Sequence, residues 1–269
     1  VAEFLPISSS GHLALFQTFF GMENMEEKYM FFTVLLHFGT LISVCMVYWR
    51  DIVDMIREFF LGIAALAGRK DTGVAPPPAR RMVMLIIIAT VPLFVMVFLQ
   101  DAVNQLFSNS IMVSCALLAT GFILFFSDRM ARGHKTAKNA TVADALIVGC
   151  GQALAVIPGL SRSGTTISVG MMRGFDRAFA VRFSFLMSLP AVLGANVLEI
   201  KDALASNFPI EELPMYLVGV AVSAVVGYFA IRLVKSLSDK GKFGKFAYYC
   251  WAVGLGSLVA GIVKMMLLK

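Results

Sequence analysis

Near its beginning the chain reads Glu3-Phe4-Leu5-Pro6-Ile7-Ser8-Ser9-Ser10-Gly11-His12, and a later stretch reads Val156-Ile157-Pro158-Gly159-Leu160-Ser161-Arg162-Ser163-Gly164-Thr165-Thr166. Both contain a proline, a run rich in hydroxyl side chains and a Ser-Gly pair, so we interpret them as copies of one motif. When the Ser-Gly pairs are aligned, Ser9 corresponds to Arg162 and His12 corresponds to Thr165. Together the motifs supply a carboxylate, an imidazole, a guanidinium and several hydroxyls, a set that suits phosphate chemistry.

The chain around these motifs has the composition of a helical membrane protein. Of its 269 residues, 58% are hydrophobic and 15% are charged, whereas a soluble domain carries about 25% charged residues. The apolar runs are continuous rather than alternating, which predicts spanning helices instead of a barrel. The runs are Phe31–Trp49, Met82–Leu99, Ile111–Phe126, Phe183–Ile200, Met215–Val234 and Phe246–Met266. Polar motifs are costly in a bilayer, so we expect both to line a site.

Two further apolar stretches, Leu13–Phe20 and Ala143–Ile157, adjoin the motifs and are too short or too interrupted to span a bilayer. Broken helices at membrane depth are tolerated where they are buried in protein or line a wet cavity. We therefore predict that each motif forms a re-entrant helical hairpin. The predicted fold is all-α, with six transmembrane helices plus two re-entrant helical hairpins in one membrane domain over residues 1–269.

Lysine and arginine predict which side of the membrane each connection faces. The basic segments are Arg50–Arg81, Ser127–Thr141, Arg173–Arg182 and Lys235–Lys245, and we assign all of them to the cytoplasm. The connections poor in these residues are Gly21–Met30, Gln100–Ser110 and Lys201–Pro214, and we expect them outside, together with both termini. We attribute the net charge of +6 to this orientation and expect no nucleic-acid partner.

The alternation of sides is consistent only if each hairpin returns to the side from which it enters. The first hairpin then enters from outside and the second from inside, and each is followed by three spans. This predicts two halves of opposite orientation, about 1–130 and 140–269, in an inverted-topology repeat. Folds of this kind place their site near mid-membrane, where the halves meet.

Arg162 is the strongest single candidate for a functional residue. Its planar guanidinium group matches a phosphate through two parallel hydrogen bonds, and at membrane depth it needs an anionic partner. The neighbours that we expect to bind phosphate with it are Ser161, Ser163, Gly164 and Thr165 from the second motif and Ser8 and Ser10 from the first. The alternatives are that Arg162 snorkels to the membrane interface, or that it pairs with Glu3 to hold the two halves together.

Ser9 is the hydroxyl that we favour as a nucleophile, with His12 as the base that takes its proton. Two alternatives stay open: His12 itself attacks phosphorus, or a water molecule does so with the same base. Ser8 or Ser9 is also suited to cap a helix that begins near Gly11.

Glu3 lies beside these hydroxyls, and a carboxylate at this depth is expected to carry a proton, bind a cation or pair with Arg162. We predict a divalent cation, Mg²⁺ or Ca²⁺, between Glu3 and the phosphates, because hard cations favour oxygen ligands. Two polar residues outside the motifs are ambiguous. Gln152 suits contact with a polar head group as well as helix packing, and His37 is interpreted as a hydrogen-bonded core histidine.

The two motifs together resemble those of the undecaprenyl-diphosphate phosphatase family, the bacitracin-resistance type. Its members carry Glu-Phe-Leu-Pro-(Ile/Val)-Ser-Ser-(Thr/Ser)-Gly-His, which matches Glu3–His12, and Pro-Gly-x-Ser-Arg-Ser-Gly-(Ala/Thr)-Thr, which matches Pro158–Thr166. The resemblance runs along essentially the whole chain. It implies an inner-membrane enzyme that hydrolyses undecaprenyl diphosphate to undecaprenyl phosphate and phosphate, which recycles the lipid carrier for cell-wall synthesis.

By this resemblance the active-site residues are Glu3, Ser9, His12 and Arg162. The family motif begins with a further glutamate shortly before the one that matches Glu3, and that position precedes Val1. We therefore expect the natural protein to begin earlier than this chain. In the second half of the chain, Gln152 stands at the place, relative to the serine run, that this further glutamate has in the first half.

A transporter is the competing prediction, because inverted repeats with broken helices are more typical of carriers than of hydrolases. A flippase for an anionic or prenyl-phosphate lipid would use the same site for binding alone. The expected partners are a polyprenyl diphosphate and membrane lipids, with phosphate released on the outer side. Small residues permit close helix contacts and are compatible with a homodimer: Gly219, Gly227, Gly254 and Gly256.

Overall fold

The computed structural model describes residues 1–20, 30–68, 76–107, 109–205 and 213–267. The α-helices there are α1 Ser9–Phe20, α2 Met30–Val47, α3 Trp49–Gly68, α4 Pro78–Thr90, α5 Leu93–Val97, α6 Gln100–Phe107, α7 Ser110–Met130, α8 Val142–Leu154, α9 Arg162–Met172, α10 Arg177–Ala205, α11 Leu213–Asp239 and α12 Phe246–Leu267. A 3-10 turn, Phe243–Lys245, precedes α12. Within these ranges the β contacts amount to one isolated bridge, between Lys135 and Phe175.

Five helical segments of the described chain are long and apolar enough to cross a membrane. They are Pro78–Val97, Ser110–Met130, Arg177–Gly194, Leu213–Asp239 and Phe243–Leu267. A sixth span is obtained if α2 and α3 count as one broken segment, although they meet at 89°. All six predicted apolar runs are helical, although Met82–Leu99 is divided between α4 and α5 and Phe31–Trp49 reaches from α2 to the start of α3. The prediction of an all-α membrane protein is confirmed at this level. The predicted connections at 21–29 and 206–212 lie outside the described residues.

Helix α3 is a feature that the sequence analysis missed, because it treated Arg50–Arg81 as a basic link. One side of α3 faces the protein, where Asp51 pairs with Arg182 at 3.2 Å and Glu58 pairs with Arg80 at 3.0 Å. Another side exposes large apolar residues, among them Val53, Ile56, Phe60 and Ile63. Charged residues interrupt these apolar ones in the sequence, so no continuous apolar run marks the helix. Its amphipathic surface and sharp angle to α2 suit a helix that lies along the membrane surface.

The four basic segments meet at one end of the helical bundle. Arg81 on the first donates to the carbonyl of Ala140 on the second at 2.9 Å. Arg177 on the third donates to the carbonyls of Asp128 on the second, at 2.8 Å, and Ser238 on the fourth, at 3.5 Å. The four basic segments can face the same side of the membrane only if they lie at the same end of the bundle.

Asp144 fixes the beginning of the second hairpin at the same end. It forms a capping box with Thr141 at the start of α8, and its carboxylate pairs with Lys135 at 2.8 Å and Arg173 at 2.9 Å. The Asp144 side chain is fully buried. Its two cationic partners, Lys135 and Arg173, are 34% and 39% exposed, so the carboxylate is buried beneath two half-buried side chains. These bonds therefore hold α8 and the end of α9 in one position.

The hairpin built from α8 and α9 packs among α4, α7 and α10, while α7 packs extensively on α12 and α2 on α11. Glycines allow some of these helices to approach closely. A Cβ on Gly227 would lie 2.6 Å from Ser43 Oγ, and one on Gly254 would lie 2.9 Å from Leu118 Cδ2. Gly227 and Gly254 are therefore buried inside the chain rather than free for contact with a second copy, whereas Gly256 faces open space.

Candidate active site

Each motif ends at the beginning of a helix, and both helices are capped in the same way. Ser8 precedes α1, and its Oγ accepts a hydrogen bond from Gly11 N at 3.2 Å. Ser161 precedes α9, and its Oγ accepts from Gly164 N at 3.1 Å. The expected capping role of a first-motif serine is thus filled by Ser8. The cap positions agree with the alignment of the motifs, in which Ser8 corresponds to Ser161.

The two motifs touch through their backbones. Ser8 has φ = 65° and is the single non-glycine residue with positive φ in the described ranges, and Gly159 has φ = 98°. A serine whose backbone is in the left-handed region costs about 1–3 kcal/mol, and such residues are typical of functional turns. A Cβ on Gly11 would lie 2.8 Å from Gly159 Cα, and a Cβ on Gly159 would lie 2.4 Å from Val113 O. Gly11 is therefore required for the two motifs to meet, and Gly159 for the second motif to pack against α7.

Side chains of each motif also bond to the backbone of the other. Ser8 Oγ donates to Leu160 O, and Ser163 Oγ donates to Leu5 O, each at 3.4 Å. Thr120 on α7 secures the second turn, because its Oγ1 donates to Gly159 O at 3.0 Å and accepts from Ser161 N at 3.2 Å. Thr120 carries no sequence signal of this role, because a single hydroxyl in an apolar run is common in membrane helices.

Glu3 joins the two motifs at the site itself. Ser9 Oγ donates to Glu3 Oε1 at 2.6 Å, and Arg162 donates to Glu3 Oε2 at 3.4 Å. A tight N–H···O bond between charged groups is about 2.7–2.9 Å, so the arginine contact is loose. The side chains of Arg162 and Glu3 are each 32% exposed. The predicted ion pair is therefore present, and it leaves the guanidinium accessible to another anion.

These groups line a cavity of about 360 Å³. Its polar wall from the motifs is formed by Glu3, Ser8, Ser9, Ser10, Ser161 and Arg162. His37 and Thr40 on α2 and Gln152 on α8 contribute further polar groups. The predicted core histidine therefore faces the site. The volume falls within the ~300–1,000 Å³ range of small-ligand pockets, which suits a diphosphate head group.

Three of the predicted phosphate-binding residues lie behind this wall. Ser163, Gly164 and Thr165 are buried in the first turn of α9 and do not line the cavity. The N–H of Gly164 donates to Ser161 Oγ, and the hydroxyl of Ser163 donates to the carbonyl of Leu5. Gly164 and Ser163 therefore bond within the protein, whereas the buried Thr165 hydroxyl has no partner among the described residues. Their part in binding phosphate stays a prediction.

His12 lies on the other side of α1. Its Nδ1 donates to Ser8 O at 2.7 Å, so the neutral ring accepts at Nε2 from the Tyr249 hydroxyl, at 2.9 Å. The two rings are stacked, with centroids 5.6 Å apart. Neither of these hydrogen bonds involves Ser9, whose described partner is Glu3. His12 lines a second, largely apolar cavity between α1 and α12.

Tyr249 is the partner that the sequence analysis missed. It lies in the apolar run of α12, far along the chain from the first motif, and one phenol in such a run carries no positional signal. The structure thus brings Glu3, Ser9 and Arg162 together directly, whereas His12 joins them only through the backbone of Ser8.

Comparison with known proteins agrees with the sequence motifs. The family described as bacitracin resistance protein BacA matches residues 1–256. An undecaprenyl-diphosphatase of Alkaliphilus metalliredigens is 41% identical over 94% of this chain and 92% of the relative. Undecaprenyl-diphosphatases of Methanosphaera stadtmanae and Methanobrevibacter smithii are 38% and 40% identical over 98% of this chain, and 94% and 95% of the relatives. On these matches, and on both motifs at one cavity, the chain belongs to the BacA family.

Proposed function

We propose that this protein is a membrane hydrolase that converts undecaprenyl diphosphate into undecaprenyl phosphate and inorganic phosphate. The reaction regenerates the monophosphate lipid carrier used in cell-wall synthesis. Membership of the BacA family and the names of the relatives support the substrate. The observation that carries the proposal is the cavity in which Ser9 and Arg162 share the carboxylate of Glu3.

Ser9 is the proposed nucleophile. Its Oγ attacks the terminal phosphorus, its proton passes to Glu3 Oε1, and the bond from that phosphorus to the bridging oxygen breaks to release the prenyl monophosphate. Water then attacks the phosphorus of the phosphoserine and the bond from phosphorus to Ser9 Oγ breaks. Ser9 Oγ takes back the proton held by Glu3, and inorganic phosphate leaves with the protons of the water. Glu3 is favoured as the proton acceptor because Ser9 Oγ already donates to it at 2.6 Å. The role of His12 as base, as nucleophile or in activating a water stays an alternative prediction.

Arg162 is the proposed phosphate ligand. Its 3.4 Å contact with Glu3 is long enough to exchange for a shorter, bidentate bond to phosphate oxygens. The leaving group is a phosphate monoester, so neutralising charge matters more than donating a proton to it. Ser8, Ser10 and Ser161 line the same cavity and supply further hydroxyl donors.

A divalent cation fits this donor set only together with the substrate. Among the described residues no group of three or more His, Cys, Asp or Glu side chains is placed to hold a metal, and Glu3 is the carboxylate in the described lining of the cavity. Mg²⁺ is commonly held by one or two carboxylates plus substrate phosphates. When bound, the cation would add positive charge beside the phosphate oxygens.

Chelation is therefore expected to lower phosphate release by about tenfold or more, with recovery on adding Mg²⁺ or Ca²⁺. Because Glu3 alone is a weak ligand set, the cation should raise the melting temperature only when inorganic pyrophosphate is also present. Full activity after exhaustive chelation would contradict the cation proposal.

The proposed architecture is an inverted repeat with halves of about 1–130 and 140–269, six spans and two re-entrant hairpins. The matched caps of Ser8 and Ser161 and the reciprocal bonds between the motifs support it. So does the packing of helices at corresponding places in the two halves, α7 with α12 and α2 with α10.

We place the basic end of the bundle in the cytoplasm, with both termini and the opening of the cavity on the outer side of the plasma membrane. The convergence of the four basic segments supports this orientation. A single cysteine in Thr136–Thr141 should resist an impermeant thiol reagent in intact cells, and one in Gly21–Met30 should react. Both variants need a background without the four native cysteines. The reverse labelling pattern would mean that the basic end of the bundle faces outward.

The deciding experiment is phosphate release from a prenyl diphosphate by the detergent-solubilised protein. Hydrolysis without a second compartment identifies an enzyme, whereas tight binding without hydrolysis identifies the competing carrier. A homodimer stays part of the proposal, and the exposed α12 face around Gly256 is the surface that suits such a contact.

A further inference from the structure

Gln152 is a buried amide at the cavity whose side chain bonds to none of the described residues. Its side chain lies on α8 and is 1% exposed. It lines the same cavity as Glu3, Ser9 and Arg162. Neither Nε2 nor Oε1 has a hydrogen-bond partner within the described part of the chain. Buried polar groups are nearly always paired, so an unpaired amide beside a cavity points to a ligand.

The charge balance of the cavity favours a ligand that needs donors. Glu3 and Arg162 are the charged side chains of its described lining, with His37 taken as neutral, and their formal charges cancel. A diphosphate head group brings several negative charges and many acceptor oxygens. An amide supplies two N–H donors without a charge of its own.

We propose that Gln152 is a direct ligand of the diphosphate head group, with Nε2 donating to a phosphate oxygen. The inference rests on the proposed hydrolase function and extends its phosphate site to α8. Gln152 on α8 and Arg162 on α9 then hold the head group from the second hairpin, while Ser9 and Glu3 approach it from the first motif. The alternative role for the amide is cation binding through Oε1.

The chain provides a matched control in Asn196 on α10. It is fully buried, and both of its amide atoms are likewise without a partner among the described residues. It does not line the cavity. Replacing each amide by leucine therefore separates the effect of facing the cavity from the effect of removing a buried amide.

The test compares purified Gln152→Leu, Gln152→Glu and Asn196→Leu with the parent protein. Two quantities are measured: KM for a prenyl diphosphate, and the rise in melting temperature caused by inorganic pyrophosphate with Mg²⁺. Gln152→Leu should raise KM about tenfold or more and reduce the thermal shift, because a hydrogen bond to a charged group is lost. Its melting temperature without ligand should stay close to that of the parent, since no described hydrogen bond is removed. Asn196→Leu should leave KM unchanged.

Gln152→Glu separates the two roles of the amide. If Nε2 binds phosphate, the carboxylate repels it, and KM should rise more than in Gln152→Leu. A parent-like KM together with tighter cation binding would overturn the proposal in favour of Oε1 as a cation ligand. Parent-like KM and thermal shifts in both Gln152 variants would also overturn it. If the parent protein releases no phosphate but loses its pyrophosphate shift in Gln152→Leu, the ligand role stands and the hydrolase function fails.

Discussion

Arg162→Ala is expected to lower kcat/KM for a prenyl diphosphate by about 10²–10³-fold, the loss that accompanies removal of one key electrostatic donor. The guanidinium is the positive side chain in the described lining of the cavity and faces negative charge on the terminal phosphate. It also lies within reach of the proposed proton acceptor, Glu3. The measurement is phosphate release by purified protein in detergent, with turnover and KM determined separately.

Arg162→Lys should recover only part of this loss. Lysine restores the positive charge but not the planar fork that binds two phosphate oxygens at once. Arg232→Ala is the matched control, because Arg232 is an exposed arginine on α11 whose described bond is to Tyr228. The melting temperature of Arg162→Ala should change little, since the ion pair that it loses is loose and one-third exposed. Parent-like turnover in Arg162→Ala would show that Arg162 is not the phosphate ligand.

The meeting of the two motifs was predictable because both carry signals that survive in a single sequence. Polar groups at membrane depth are costly enough to require a common site. In each motif a serine stands two residues before the serine of the Ser-Gly pair and is suited to cap a helix, and Ser8 and Ser161 do so. Continuous apolar runs likewise predicted the spans, since few alternatives satisfy the backbone of such a run in lipid.

The position of His12 shows where that reasoning fails. Ser9 and His12 are three residues apart on α1, a spacing that predicts neighbouring side chains. Ser9 instead turns towards Glu3, and His12 bonds to the carbonyl of Ser8 and to Tyr249. The left-handed backbone at Ser8 immediately precedes α1, where Ser9 lines the first cavity and His12 lines the second. Neither that φ angle nor the distant tyrosine has a signature in the local sequence.

Helix α3 and Gln152 illustrate two further limits. The charges that pair α3 with its neighbours also break up its apolar pattern, so a search for continuous runs passes over it. Gln152 was ambiguous because an amide packs between helices as readily as it binds a ligand. The geometry favours the second role, since the amide faces the cavity and has no partner in the described part of the chain.

Ser9→Ala is expected to lower kcat by about 10⁴-fold or more, as loss of a nucleophile does when other binding groups remain. The hydroxyl forms the proposed phosphoserine, and alanine cannot form it. Rapid quenching of the parent protein with substrate labelled in the terminal phosphate should trap label on Ser9, and the variant should trap none. A variant with near-normal turnover would instead assign the attack to water or to His12.

Comparing Glu3→Gln with His12→Asn in the same assay identifies the residue that accepts the proton of Ser9. If Glu3 takes the proton, Glu3→Gln should approach the loss of Ser9→Ala, and the double variant should be no slower than Ser9→Ala alone, because the two residues act as one unit. His12→Asn should then cost less, and its effect should add to that of Glu3→Gln. The opposite pattern, with His12 and Ser9 non-additive and Glu3 additive, would mean that α1 turns on substrate binding to bring the imidazole towards Ser9. The 2.6 Å bond between Ser9 and Glu3 favours the first pattern, because no side chain has to move before the proton is transferred.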